Sequence, residues 1–87
     1  MSVLESNKYE IVISNATESS CKILEKFVSD FSLNDITTYA IQHMLRVHGD
    51  FDVKIRDDLD YRMISFVKDS NRIFKCIIAP VFETEID

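Results

Sequence analysis

The stretch from Phe51 to Pro80 constrains this chain more than any other. It reads as three strands, Phe51–Arg56, Tyr61–Lys68 and Arg72–Ala79, joined by the short polar connections Asp57–Asp60 and Asp69–Asn71. In the first, Phe51, Val53 and Ile55 alternate with Asp52, Lys54 and Arg56, the pattern of a strand with one wet face. The other two carry apolar residues on both sides: Ile64 and Phe66 against Met63 and Val67, then Phe74, Cys76 and Ile78 against Ile73 and Ile77. Pro80 lacks a backbone N–H and is expected to end the third strand. Connections this short join antiparallel neighbours, so residues 51–80 form a meander that the rest of the chain must cover.

Ahead of the meander, Tyr9–Ser14 carries Ile11, Val12 and Ile13 in succession, as a strand buried on both faces does. Asn15 with Glu18 three positions on has the spacing of a capping box. It predicts a helix from about Ala16 to Phe31, with Leu24, Phe27, Val28 and Phe31 on one face and Cys21 a turn earlier. Glu18–Lys22 and Lys26–Asp30 then fall at the supportive i,i+4 spacing. A second helix is expected to start at Ser32 or Asn34, with Leu33, Ile36, Ala40, Met44 and Val47 on its stripe. Arg46 and His48 in its last turn precede Gly49, the one glycine, which predicts a left-handed Schellman or αL cap.

The expected fold is therefore α+β in the order β-α-α-β-β-β, with two helices packed on a mostly antiparallel four-stranded sheet. One domain spans residues 1–87, with 1–8 and 83–87 frayed. After Val81, Phe82, Thr84 and Ile86 alternate with Glu83, Glu85 and Asp87, which suits a short C-terminal edge strand or a loose tip.

Charge narrows the function. Fifteen acidic against ten basic residues give a net charge of −5. A phosphate-backbone binder presents a basic field, so direct nucleic-acid binding is not expected. A basic protein partner is, because complementary fields speed encounter and exclude wrong partners. Cys21 and Cys76, far apart and within apolar patterns, read as free thiols of a reducing compartment, and a cytoplasmic protein is expected. No run approaches the ~20 apolar residues of a membrane span, so no membrane partner is expected.

Catalytic signatures are missing from the pattern. His43 and His48 stand five positions apart and cannot share one helix face as an i,i+4 pair does. One glycine leaves no P-loop and no dinucleotide fingerprint, and no metal-binding spacing occurs. No enzyme activity, cofactor or metal is expected. The distant alternative is a small hydrolase or nuclease using His48 with Asp50 or Asp52 as an acid–base pair.

Two features remain as candidate binding surfaces. One is acidic: Asp50, Asp52, Asp57, Asp58 and Asp60 are expected to crowd one end of the meander, diluted by Lys54, Arg56 and Arg62, with Glu83, Glu85 and Asp87 in the tail. Such a surface could occupy a partner's basic nucleic-acid groove. Alternate strand residues lie about 6.6 Å apart, however, whereas duplex DNA carries a charge per roughly 1.7 Å, so one row is too sparse to imitate a duplex unaided. The other feature is apolar: Val12, Met63, Val67, Ile73 and Ile77 are left over on the sheet face opposite the helices, which marks a dimer or partner interface. Small acidic domains without catalytic motifs include immunity proteins, antitoxins and phage-encoded inhibitors. The expected function is thus a non-enzymatic protein-binding inhibitor or adaptor, homodimeric, directed at a basic partner such as a nucleic-acid-binding enzyme. The alternative is an assembly subunit working by self-association through the exposed sheet face.

Overall fold

The structure, a computed structural model, describes residues 6–16, 21–69 and 72–81. Five strands and one helix follow in the order β1 (Tyr9–Ala16), β2 (Cys21–Ser29), α1 (Leu33–His48), β3 (Asp52–Asp57), β4 (Arg62–Asp69) and β5 (Arg72–Pro80). All five strands belong to one sheet, in spatial order β2-β1-β5-β4-β3, and every neighbouring pair is antiparallel.

The expected β-α-α-β-β-β order with two helices on four strands is therefore corrected. Residues 21–29 form a strand where the first helix was expected, and the architecture is mostly β. The cause lies in one residue. Pairing of β1 with β2 runs Ile11–Phe27, Val12–Lys26, Ile13–Glu25 and then jumps to Ser14–Ile23, leaving Leu24 as an extra residue. A bulge shifts the alternation by one position and adds twist. Leu24 drops out of the alternation, and Phe27 and Val28 point to opposite faces, so the apolar residues at 21, 23, 24, 27 and 28 fall at a spacing that copies one helix face. The proposed Asn15 cap is instead a residue of β1, paired with Lys22 and Phe74, and Glu18 lies outside the described residues.

The three meander strands stand where the alternation placed them, within a residue or so of each end. The helix also starts as expected. Ser32 is its cap, and its hydroxyl accepts from the Asp35 N–H at 3.2 Å, with Asp35 in the favourable first turn. At the other end Gly49 has φ +88° and ψ −160°. The positive φ explains the glycine, but this ψ belongs to an extended, essentially glycine-only region and not to the αL cap expected. The Gly49 N–H still donates to the Leu45 carbonyl at 3.0 Å, closing the last turn before the chain swings into β3.

Because β2 and β3 occupy opposite edges, α1 must carry the chain across the whole sheet. Its 16 residues reach about 24 Å, and five strands span roughly 19 Å, so the length suffices. The core lies beneath it. Ile36, Ala40 and Met44 of α1 pack on alternate residues of the three central strands: Tyr9, Ile11 and Ile13, then Ile64 and Phe66, then Phe74, Cys76 and Ile78. Ring contacts extend this core toward β3, where Phe51 meets Phe66 and Phe74 edge to face. Thr37 donates to the Leu33 carbonyl and accepts from the Arg62 guanidinium at 3.1 Å, fastening the helix start to β4. The tail strand suggested after Val81 and residues 1–5 of the segment 1–8 expected to fray lie outside the described residues; of the remainder, the Ser6 hydroxyl donates to the Val81 carbonyl at 3.1 Å and the Val81 N–H donates to the Lys8 carbonyl at 2.9 Å. Within the described residues, no helix is long and apolar enough to cross a membrane.

Candidate functional site

Side chains alternate across a strand, so residues adjacent to the core residues point away from α1. The registers assemble them into rows. One row runs Arg56–Met63–Ile77–Val12–Lys26 across the entire sheet, and another runs Asp52–Val67–Ile73–Ala16–Cys21. Between them lies Lys54–Ser65–Lys75–Ser14. The five residues expected as an apolar interface are thus brought onto one face, with Met63, Ile77 and Val12 side by side and Val67 beside Ile73. All five are half-buried. The polar row between the two sets is the part that alternation could not display. Lys75 stands at its centre, offering a methylene stem as well as an ammonium group.

The electrostatics of this face differ from those of the chain. Among the described residues, Lys26, Lys54, Arg56 and Lys75 stand against Glu10 and Asp52 on the paired strands, so within a protein of net charge −5 these rows carry net positive charge. Lys26 and Glu10 lie 3.8 Å apart and partly offset one another. Of the remaining cations, Lys54 and Arg56 lie at the β3 edge and Lys75 stands on the central strand between the two apolar rows.

The expectation that the aspartates crowd one end of the meander is corrected, because β3 runs between them. Asp50 and Asp52 lie at the start of β3, and Asp57, Asp58 and Asp60 at its far end, about 17 Å away at strand rise. Asp57 is already occupied: Arg62 donates to both of its carboxylate oxygens, at 2.6 and 3.0 Å. That charge-assisted pair holds the Asp57 carboxyl below its ordinary range and raises the Arg62 guanidinium, an effect that desolvation opposes at both groups. Asp58 accepts from the Leu59 N–H within the turn. Glu83, Glu85 and Asp87 lie outside the described residues.

The ring of His48 stacks on Phe74, with centroids 4.7 Å apart, and meets Phe51 edge on, so it serves as cover for the core end. His43 stacks on Tyr39 along the helix. Among the described residues no group of three or more His, Cys, Asp or Glu could hold a metal ion. Cys76 is buried, and burial pushes its thiol up to about 12, so it remains a neutral core side chain. Cys21 is exposed.

One surface escaped the sequence reading because its residues were assigned to a helix. Beside α1 on the helix-bearing face, β2 stands clear of the core and leaves a groove of about 530 Å³. Phe27, Val28, Phe31, Tyr39, Ala40 and His43 line part of it. The signal available in the sequence was the content of Ile23, Phe27 and Val28, which favours strand over helix.

Comparison with known protein families, with curated proteins and with solved structures finds no match, so function rests on these surfaces.

Proposed function

We propose that this chain is a non-enzymatic protein-binding domain, an inhibitor or adaptor, that meets its partner through the uncovered face of the sheet. The observation that carries this reading is the pairing of half-buried apolar rows with cations set between and beside them. Met63, Ile77, Val12, Val67 and Ile73 supply the desolvated centre an interface needs. Lys54, Arg56 and Lys75 supply charges that orient a partner and reject the wrong one. The partner that fits is a protein with an apolar patch rimmed by carboxylates.

The acidic route to a basic partner has less to support it. Asp57 is paired with Arg62, and the other acidic side chains of β3 are divided between its two ends. Among the described residues, the exposed carboxylates left to it are Asp50 and Asp52 at one end of β3 and Asp58 and Asp60 in the turn before β4.

Affinity capture from a host lysate with paired baits tests the choice. Proteins retained by the wild-type bait are expected to be lost with an Ile77→Asp, Lys75→Glu double variant and kept with Asp58→Lys, Asp60→Lys. Their retention should also weaken with added salt, because the rim is charged. Loss on the acidic-turn variant with retention on the face variant would overturn the face reading.

A further inference from the structure

β2 is a nine-residue strand at the edge of the sheet, and its outer backbone groups face away from β1. Natural edge strands are usually short, charged or interrupted by proline, because free N–H and C=O groups invite another strand. β2 keeps none of these protections in full. Ile23 and Val28 are 61% and 57% exposed, Leu24 and Phe27 are also exposed, and no proline interrupts the strand. The charged residues after the bulge are Glu25 and Lys26 alone.

We propose that β2 pairs antiparallel with β2 of a second copy of this chain, about a two-fold axis through Phe27, to form one continuous sheet across both copies. Antiparallel pairing about a two-fold axis perpendicular to the sheet keeps each residue on its own face, so some residue must sit opposite itself. The charges and the end of the strand decide which. A centre at Glu25 or Lys26 sets that residue against its own copy, and a centre at Leu24 sets Lys22 against Lys26. A centre at Ile23 falls on the bulge, where regular pairing is already broken. A centre at Phe27 sets Lys26 opposite Val28 and Glu25 opposite Ser29, and no like charges meet. A centre at Val28 also keeps like charges apart, but β2 ends at Ser29, so it pairs only Phe27–Ser29 of the strand, whereas the Phe27 centre pairs Glu25–Ser29 and is the longer of the two registers the charges leave open.

The groove supports the same register. Phe27 shares the helix-bearing face with Ile11, its partner on β1, and lines the groove beside α1. With Phe27 at the axis, the two rings form a cross-strand aromatic pair, and each copy closes the mouth of the other's groove. The axis leaves both helices on one side of the joined sheet and both cationic faces on the other. The dimer thus doubles the proposed partner surface without using it, and the two readings fail separately: one is read by mass, the other by bait variants.

Sedimentation of the full chain at micromolar concentration is expected to give twice the 10.1 kDa of one chain. Val28→Lys, which sets a lysine opposite Lys26, is expected to reduce the mass to one chain. Val28→Glu at the same exposed position sets a carboxylate there and is expected to stay dimeric. In a Cys21→Ser background, Phe27→Cys is expected to cross-link fully under mild oxidation, since directly opposed strand residues lie within disulfide reach, and Lys26→Cys is expected to remain unlinked. Circular dichroism confirms that each variant is folded. A folded wild type that stays at one-chain mass overturns the proposal. So do equal effects of the two Val28 variants, or cross-linking through Lys26→Cys in place of Phe27→Cys.

Discussion

β2 and β3 close the same sheet from opposite sides and treat their free backbone differently. β3 has six residues, of which Asp52, Lys54, Arg56 and Asp57 are charged, and its Val53 leans on the core beneath α1. A strand of this kind discourages a neighbour through length and charge together. β2 is half as long again, and its apolar residues lie largely beyond the reach of the helix. The core contacts explain the asymmetry. Rings at Phe51, Phe66 and Phe74 and the Arg62–Thr37 bond draw the helix over the meander, whereas β2 meets α1 only across a groove. One half of the sheet is finished within the chain. The other half ends in a surface suited to a second polypeptide.

The comparison breaks first if the two halves contribute equally to stability. Phe66 is fully buried under the helix, and Phe66→Ala is expected to cost about 3–5 kcal/mol in chemical denaturation. Phe27→Ala, measured at a dilution where the chain is monomeric, is expected to cost under about 1 kcal/mol, because the ring is already 36% exposed. Similar values for the two would remove the distinction.

The helix must also arrive over the meander at the correct angle, and Gly49 sets its exit. A Cβ there would meet only the Lys68 ammonium, at 3.6 Å, so space is not the obstacle. The obstacle is the backbone at φ +88°, and Gly49→Ala is expected to cost about 1–3 kcal/mol in the same assay. A neutral result would mean that the loop before β3 relaxes freely.

Arg62 sharpens the comparison from the side of charge. Arg62→Ala removes the pair with Asp57 and the bond to Thr37, and a loss of about 1 kcal/mol is expected at neutral pH. Because pairing lowers the Asp57 carboxyl, its stabilisation is present above the ordinary carboxylate range and is lost as pH falls through the lowered value. The gap between wild type and Arg62→Ala should therefore close on acidification.

Cys76 works in the opposite sense. Its thiol is raised from 9.0 to about 12, so its contribution is complete below pH 9 and falls as pH rises toward 12. Wild type should lose stability relative to Cys76→Ala across that interval in alkaline denaturation. The smallest effect is expected on the β3 edge. Ile55 is 51% exposed, and Ile55→Lys should change stability by no more than about 0.5 kcal/mol and leave the sedimented mass unaltered.

The sequence by itself determined the meander, since Val53 and Ile55 alternate with charged residues, the next two segments are apolar on both sides as inner strands are, and the short polar connections join antiparallel neighbours. It also determined the helix from Ser32 to Gly49, whose cap, stripe and terminal glycine agree. The five residues expected on the open face were legible for the same reason: a period of two assigns a face whatever the neighbouring strands are. Residues 21–29 were not legible. With the bulge at Leu24 the apolar spacing matches a helix face, so the β-branched and aromatic content was the sole local sign of a strand, and pairing with β1 decides it. Tertiary structure also decided which charges share a surface. Asp50 and Asp57 are near in sequence but separated by the length of a strand, while Lys26, Lys54 and Lys75 come from three strands and meet on one face. Neighbourhood across a sheet is set by register, and register is a property of pairs of strands that no single segment carries.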